Sequence, residues 1–218
     1  MKATDLIKLI KSKLDIDWEA KSDRGAIWLE KKERNGDIKV ITWSVGHKVD
    51  GLSIDSYVSG FIGFNQMENI LLKYYKKYNL NYLPYSIHVT SGRDEWLGNQ
   101  KIITSDDVDA IMPIIKDMIE NDIIPFFENY SSIENAYKKI EKTEKSNITL
   151  FLLHPPTIRI LIMKKLVNAT DFDEYADWLM SLRPIMLETA NGIVYQFLPE
   201  LIEELKNLPT TSSNKIQK

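Results

Sequence analysis

The sequence predicts an α+β fold: an N-terminal helix, an antiparallel sheet of about four strands with a flanking helix, then an all-helical C-terminal portion. Three observations carry this. Leu6, Ile7, Leu9, Ile10 and Leu14 recur at helical spacing with lysines between them. Asn35-Gly36 separates two β-rich runs, the strongest short-range hairpin signal. From Thr104 onward the apolar residues follow helical periodicity, with cap signals at three places.

The hairpin comes first after the N-terminal helix, with Ala26–Arg34 and Asp37–Val45 as its strands. A two-residue turn pairs Arg34 with Asp37, and counting back sets Trp28 opposite Trp43 on one face. Such an aromatic pair adds about 0.2–1 kcal/mol over an alanine pair. Ile27, Leu29, Ile38 and Val40 make the other face apolar as well, so the sheet calls for helices on both sides. Ile54–Phe64 reads as a third strand, in which Gly60 and Gly63 mark a bulge, a bend or a close backbone approach. A helix over Gln66–Tyr78 carries Met67, Ile70, Leu71, Tyr74 and Tyr78 on one stripe. Tyr85–Thr90 is a fourth strand, closed by Ser91-Gly92, and Lys101–Ile103 is a candidate short fifth.

Helices are expected near 105–122, 131–143, 157–167, 171–188 and 194–207. Capping boxes are read at Thr104 with Asp107, Ser131 with Glu134, and Thr170 with Asp173. Pro125 should break or kink the chain between the first two helices, His154-Pro155-Pro156 marks a sharp turn into the third, and Pro184 and Pro199 are candidate kinks. Residues 1–103 thus form a sheet portion and 104–208 a helical portion against it, with 209–218 a flexible tail by composition. No Gly/Ser linker separates the portions, which predicts one compact unit or two tightly docked halves.

Composition narrows function by exclusion. The 218 residues are 44% hydrophobic and 27% charged, an ordinary globular balance able to bury a core without a covalent staple. With no cysteine, disulfides and cysteine-based metal or nucleophile sites are excluded. A net charge of −3 is the wrong sign for a dedicated nucleic-acid binder. The lysine clusters Lys31-Lys32 and Lys73, Lys76 and Lys77 read as solvated faces. The apolar stretches Ile158–Val167 and Ile111–Phe127 contain charges or proline, so neither predicts a membrane span. Met1–Asp5 lacks the basic flank and apolar run of a signal peptide, so a cytoplasmic protein is expected.

Candidate chemistry is sparse. There is no glycine-rich phosphate loop, and no cofactor is expected. His47, His88 and His154 show no metal-ligand spacing and there is no H-E-x-x-H, so no metal site is expected either. Asp106, Asp107 and Asp109 lack the alternating pattern of a calcium loop and suit the first turn of a helix, where the dipole favours negative charge. The aromatics Phe126, Phe127 and Tyr130, and the set Tyr74, Tyr75, Tyr78, Tyr82 and Tyr85, read as core or interdomain packing rather than as a base-stacking platform.

Arg93, Asp94, Glu95 and Trp96 are the candidate binding residues. They join a strand to a short strand through a loop with charge of both signs and a tryptophan, the residue types of binding hot spots. The competing reading is a tryptophan lid over the sheet edge, with Arg93 and Asp94 neutralising each other. His88 is an alternative catalytic candidate, a base oriented by Asp94 or Glu95, although no G-x-S-x-G elbow accompanies Ser86 or Ser91. Its structural reading is a strand histidine hydrogen-bonded at a sheet edge.

Thr104-Ser105-Asp106-Asp107, Ile124-Pro125-Phe126-Phe127-Glu128-Asn129-Tyr130 and Ser131-Ser132-Ile133-Glu134 follow a helix, an antiparallel sheet and a flanking helix. This layout resembles bacterial α+β families of unknown function, some found among immunity proteins that neutralise polymorphic toxins. The likeness covers about residues 1–142, its motifs are structural, and it carries over no functional residue. Mild acidity, mixed surface charge, the lack of a catalytic constellation and the charged aromatic loop at Arg93–Leu97 predict a non-enzymatic intracellular binding protein with a protein partner, its most concrete form a bacterial immunity-type or similar role. The acidic balance favours a basic partner. A small hydrolase or transferase using His88 with Asp94 or Glu95 is the alternative. A third reading is a small-ligand sensor with its pocket between the sheet and the C-terminal helices.

Overall fold

A computed structural model describes residues 1–23, 25–55, 57–92, 100–189 and 192–209. The chain divides into two compact units, Met1–Asn65 with Ile87–Ser131, and Gln66–Ser86 with Ser132–Lys218.

In the first unit, α1 (Ala3–Leu14) buries Leu6, Ile7 and Ile10 of the stripe its periodicity predicts, while Leu9 and Leu14 are half-buried. It packs against β1 (Glu19–Asp23), β2 (Ala26–Lys32) and α3 (Ser105–Met118). The sheet continues through β3 (Ile38–Lys48), β4 (Gly51–Ile54), β5 (Tyr57–Gly63), β6 (Ile87–Gly92) and β7 (Gln100–Ile102). Among the described residues it has seven strands, every pairing antiparallel, rather than about four. The surplus has physical causes. β1 is an edge strand of sequence Glu-Ala-Lys-Ser-Asp, with no apolar alternation to betray it. The long β3 splits its pairing: Ile38–Thr42 bond to β5, and Val45–Lys48 bond to β4. The predicted third strand is therefore two.

The hairpin turn differs from the expected two-residue form. Glu33 N donates to Asp37 O at 2.8 Å and Gly36 N to Glu33 O at 2.9 Å, so Arg34, Asn35 and Gly36 form a three-residue loop. Gly36 takes the left-handed conformation that closes it, with φ of 89°. The Asn35 side chain accepts from Asp37 N at 3.0 Å, while an Asp37 carboxylate oxygen accepts from Asn65 N at 2.8 Å. Asp37 is thereby committed to the turn and to the start of the following helix. The one-residue slip pairs Trp28 with Thr42 and Ile27 with Trp43. The tryptophans lie on opposite faces: Trp43 is in the core, on the face of Ile41, Leu29 and Ile62, and Trp28 is half-buried on the other face. Gly60 serves close approach, since a Cβ there would lie 2.9 Å from Ile123 Cγ2.

The Thr104–Asp107 capping box starts α3 as predicted. Pro125 does not break the chain. A π-helical turn, Ile119–Ile123, leads directly into α4 (Ile124–Asn129), placing Pro125 in a first turn where its missing N–H costs least.

The second unit contains α2 (Asn65–Lys77), α5 (Ile133–Glu141), α6 (Pro156–Leu166), α7 (Phe172–Leu187) and α8 (Leu198–Asn207), with 3-10 segments at Lys145–Leu150 and Gly192–Tyr195. Residues 66–77 thus group with the C-terminal helices, and 105–131 with the sheet. Two predicted caps shift. Ser132, not Ser131, caps α5 by accepting from Asn135 N at 3.3 Å. α7 begins after Asp171 with no side-chain cap, because the Asp171 carboxylate is engaged by Lys164 at 2.5 Å. Pro184 lies inside α7, while Pro199 falls in the first turn of α8 rather than at a kink. The seam of α2 and α8 is charged and aromatic: Lys73 and Tyr74 bind Glu204, Lys77 and Tyr78 bind Glu200, and Tyr74 stacks on Phe197 at 5.1 Å. Among the described residues no helix is long and apolar enough to cross a membrane.

Candidate functional site

Arg93, Asp94, Glu95 and Trp96 lie outside the described residues. His88 projects from β6 on the sheet face that carries Val40 and Trp28, beside Phe61 of β5 with ring centroids 5.8 Å apart. Its Nε2 is buried without a hydrogen-bond partner, and burial lowers its pKa below the ordinary imidazole value. No described carboxylate orients it as a base. Among the described residues no group of three or more histidine or carboxylate side chains could hold a metal.

The site that the second unit builds lies elsewhere, in a cleft of about 530 Å³ among α5, α6, α7 and the 3-10 segment Lys145–Leu150. That volume falls within the range of small-molecule sites, roughly 300–1,000 Å³. Each helix supplies residues at helical spacing. Tyr137, Ile140 and Glu141 come from α5, while Pro156, Thr157, Ile160 and Lys164 come from α6. From Asp171 and α7 come Asp171, Glu174, Tyr175 and Trp178. Residues three and four apart share a helix face, so each set forms one wall.

Lys164 is the chemical centre of the cleft. It is only 7% exposed, and its ammonium donates to the Tyr137 hydroxyl at 2.9 Å and to Asp171 at 2.5 Å. The rings of Tyr137 and Tyr175 flank it, with centroids 5.4 and 5.3 Å from Nζ. Burial alone pushes the lysine pKa down, but the hydrogen bonds and charges of Asp171 and Tyr137 outweigh it and hold the group above the ordinary lysine value. Burial, opposed by the lysine, raises the Tyr137 pKa, and burial raises that of Tyr175. All three groups therefore keep their protons at neutral pH. Lys164 here is a fixed cation rather than an amine nucleophile.

No protein-family model matches this sequence, no curated protein matches it, and no solved structure matches its fold. The site is accordingly read from its own chemistry.

The two ends of the cleft differ. At the Lys164 end sit the ammonium, Asp171 and the Tyr137 hydroxyl. At the Pro156 end, Tyr175 Oη donates to Thr157 O at 3.3 Å, and Trp178 lies against Tyr175 with centroids 5.1 Å apart. Trp178 remains 44% exposed. Pro156 and Lys164 are eight residues apart on α6, a rise of about 12 Å. Thr157 Oγ1 is tied to Tyr195 Oη at 2.8 Å, which fixes that end of the wall.

Beneath the wall runs a second polar cluster. Arg159, 2% exposed, forms an ion pair with Glu68 of α2, which also accepts from Tyr82 and from Ser86 Oγ. This pair locks α6 to α2 and leaves Arg159 Nε without a partner. It orients the helix that carries Lys164.

Sequence reasoning missed this cleft. The signal available was Arg159 and Lys164 interrupting Thr-Ile-Arg-Ile-Leu-Ile-Met-Lys-Lys-Leu, a helix buried on nearly every side. A charge on the buried side of such a run must find a partner or line a cavity. The spacing of Asp171, Glu174, Tyr175 and Trp178 was a second signal.

Proposed function

We propose that this chain is a non-enzymatic binding protein, whose second unit takes a small molecule in the cleft among α5, α6 and α7. The observation that carries the reading is the buried, fully protonated Lys164, set between two tyrosine rings at one end of a cleft whose other end exposes Trp178. Folding without function favours an apolar residue in such a place, because taking an ammonium out of water seldom stabilises more than a well-packed hydrophobe. The polar groups that converge beside the apolar and aromatic wall of the cleft are those that orient a ligand. This keeps the sensor reading of the sequence but places its pocket within the helical unit. The test is native mass spectrometry of the protein purified from cells, with Trp178→Ala alongside. A co-purifying small molecule that is lost from Trp178→Ala, at unchanged melting temperature, supports the proposal. Identical spectra of an unliganded chain from both count against it.

A second reading keeps the protein partner, in an immunity-type or similar role. Its support is an exposed apolar stripe on α7, where Trp178 and Ile185, 65% exposed, lie seven residues apart on one face. Ile185→Glu should abolish capture of a stoichiometric partner protein while leaving thermal stability unchanged. Undiminished capture excludes the stripe.

A further inference from the structure

We infer that the ligand of the α5–α6–α7 cleft is an amphipathic carboxylic acid, its carboxylate held by Lys164 and Tyr137 and its flat apolar body lying towards Pro156 and Trp178. The inference rests on the cleft being a ligand site at all, and names what that site selects.

Hydrogen-bond donors left over at the Lys164 end of the cleft select the ligand. An ammonium has three, and Lys164 uses one on Tyr137 and one on Asp171. A phenol both accepts and donates, and Tyr137 accepts from Lys164 with no acceptor for its own proton among the described residues. Among the described residues, two neighbouring groups deep in the cleft therefore each have one donor to spare, while the carboxylate beside them, Asp171, is half-exposed to water. A carboxylate oxygen pair satisfies both at once, through charge-assisted bonds stronger than neutral ones. An amine satisfies neither, and brings a second cation beside Lys164 in a setting where like charges repel more strongly than in water.

The carboxylates that could attract an amine instead, Asp171, Glu141 and Glu174, are exposed, as is Lys145, so water screens them. The rest of the cleft fixes the body of the ligand. Ile140, Ile148, Pro156 and Ile160 offer only apolar contact, and Trp178 with Tyr175 offers an aromatic surface suited to a flat ring. The rise of about 12 Å along α6 between Lys164 and Pro156 accommodates a ring joined to a carboxylate by a short chain.

The experiment is isothermal titration of the full chain with three probes of equal length: 4-phenylbutyrate, 4-phenylbutanol and 4-phenylbutylamine. The acid is expected to bind about tenfold more tightly than the alcohol and the amine, the gain of one hydrogen bond to a charged group. In Lys164→Met the acid should fall to the level of the alcohol. Tyr137→Phe, which keeps the ring, should weaken the acid several-fold and serves if the lysine variant does not fold. Acid binding equal to or weaker than the amine, or an acid preference intact in both variants, overturns the inference while leaving the cleft as a ligand site for another class. Failure of all three probes to bind overturns the cleft reading itself.

Discussion

Lys164 on α6 donates to the hydroxyl of Tyr137 on α5 at 2.9 Å, closing the floor of the cleft with a cation that water hardly reaches. A protein selected for stability alone would gain from an apolar side chain here.

That contrast is testable. Lys164→Met replaces the ammonium by an unbranched apolar group of similar length, and Asp171, exposed at the start of α7, can rehydrate. Stability by urea unfolding should change by less than about 1 kcal/mol, or rise. A loss of about 3 kcal/mol or more would make the lysine a structural tie rather than a ligand group.

The Arg159–Glu68 pair should behave in the opposite way. Both side chains are buried, and Glu68 also accepts from Tyr82 and Ser86. Arg159→Met strands a buried carboxylate and should cost about 3–5 kcal/mol. Adding Glu68→Met should recover part of that loss, because the stranded charge goes with it. A double variant that loses the sum of the two single effects contradicts the coupling.

The hairpin register makes a prediction of its own. Trp43 is in the core, so Trp43→Ala should cost about 3–5 kcal/mol, whereas Trp28→Ala on the half-buried face should cost markedly less. Equal losses would restore the two-residue turn, which puts both rings on one face. Gly36→Ala should also destabilise, by about 1–2 kcal/mol, because its φ of 89° strains any side chain.

These residues show how far the sequence was legible. The Thr104–Asp107 box and the helices around it could be read because a cap and its periodicity are local signals. The register could not. Asn-Gly serves both two- and three-residue turns, and the choice fell to Asp37, whose carboxylate bonds to Asn65 far along the chain. β1 was invisible because an edge strand needs no apolar alternation. The cleft drew on four separate segments, and none of them carries a motif. Only the charges inside the apolar α6 announced that something beyond core lay there.

His88 predicts a pH dependence. Burial lowers its pKa in the folded chain below the ordinary value of 6.5, so between the two values the unfolded chain binds more protons. Its contribution to stability is fully present above pH 6.5 and is lost as pH falls through the folded-state value. Urea midpoints measured at pH 7.5 and 5.5 should therefore differ less in His88→Leu than in the parent chain. An identical difference would mean that His88 is not the group being titrated.

The most direct test of the central claim uses the indole N–H signals of the five tryptophans. Their nitrogen–proton correlation spectrum is recorded as 4-phenylbutyrate is added, with Trp178→Phe identifying the Trp178 peak. The account predicts that the Trp178 signal shifts in a saturable way while those of the core Trp43 and the sheet Trp28 stay in place. A Trp178 peak that does not move at saturating acid, or five peaks that move together, would contradict it.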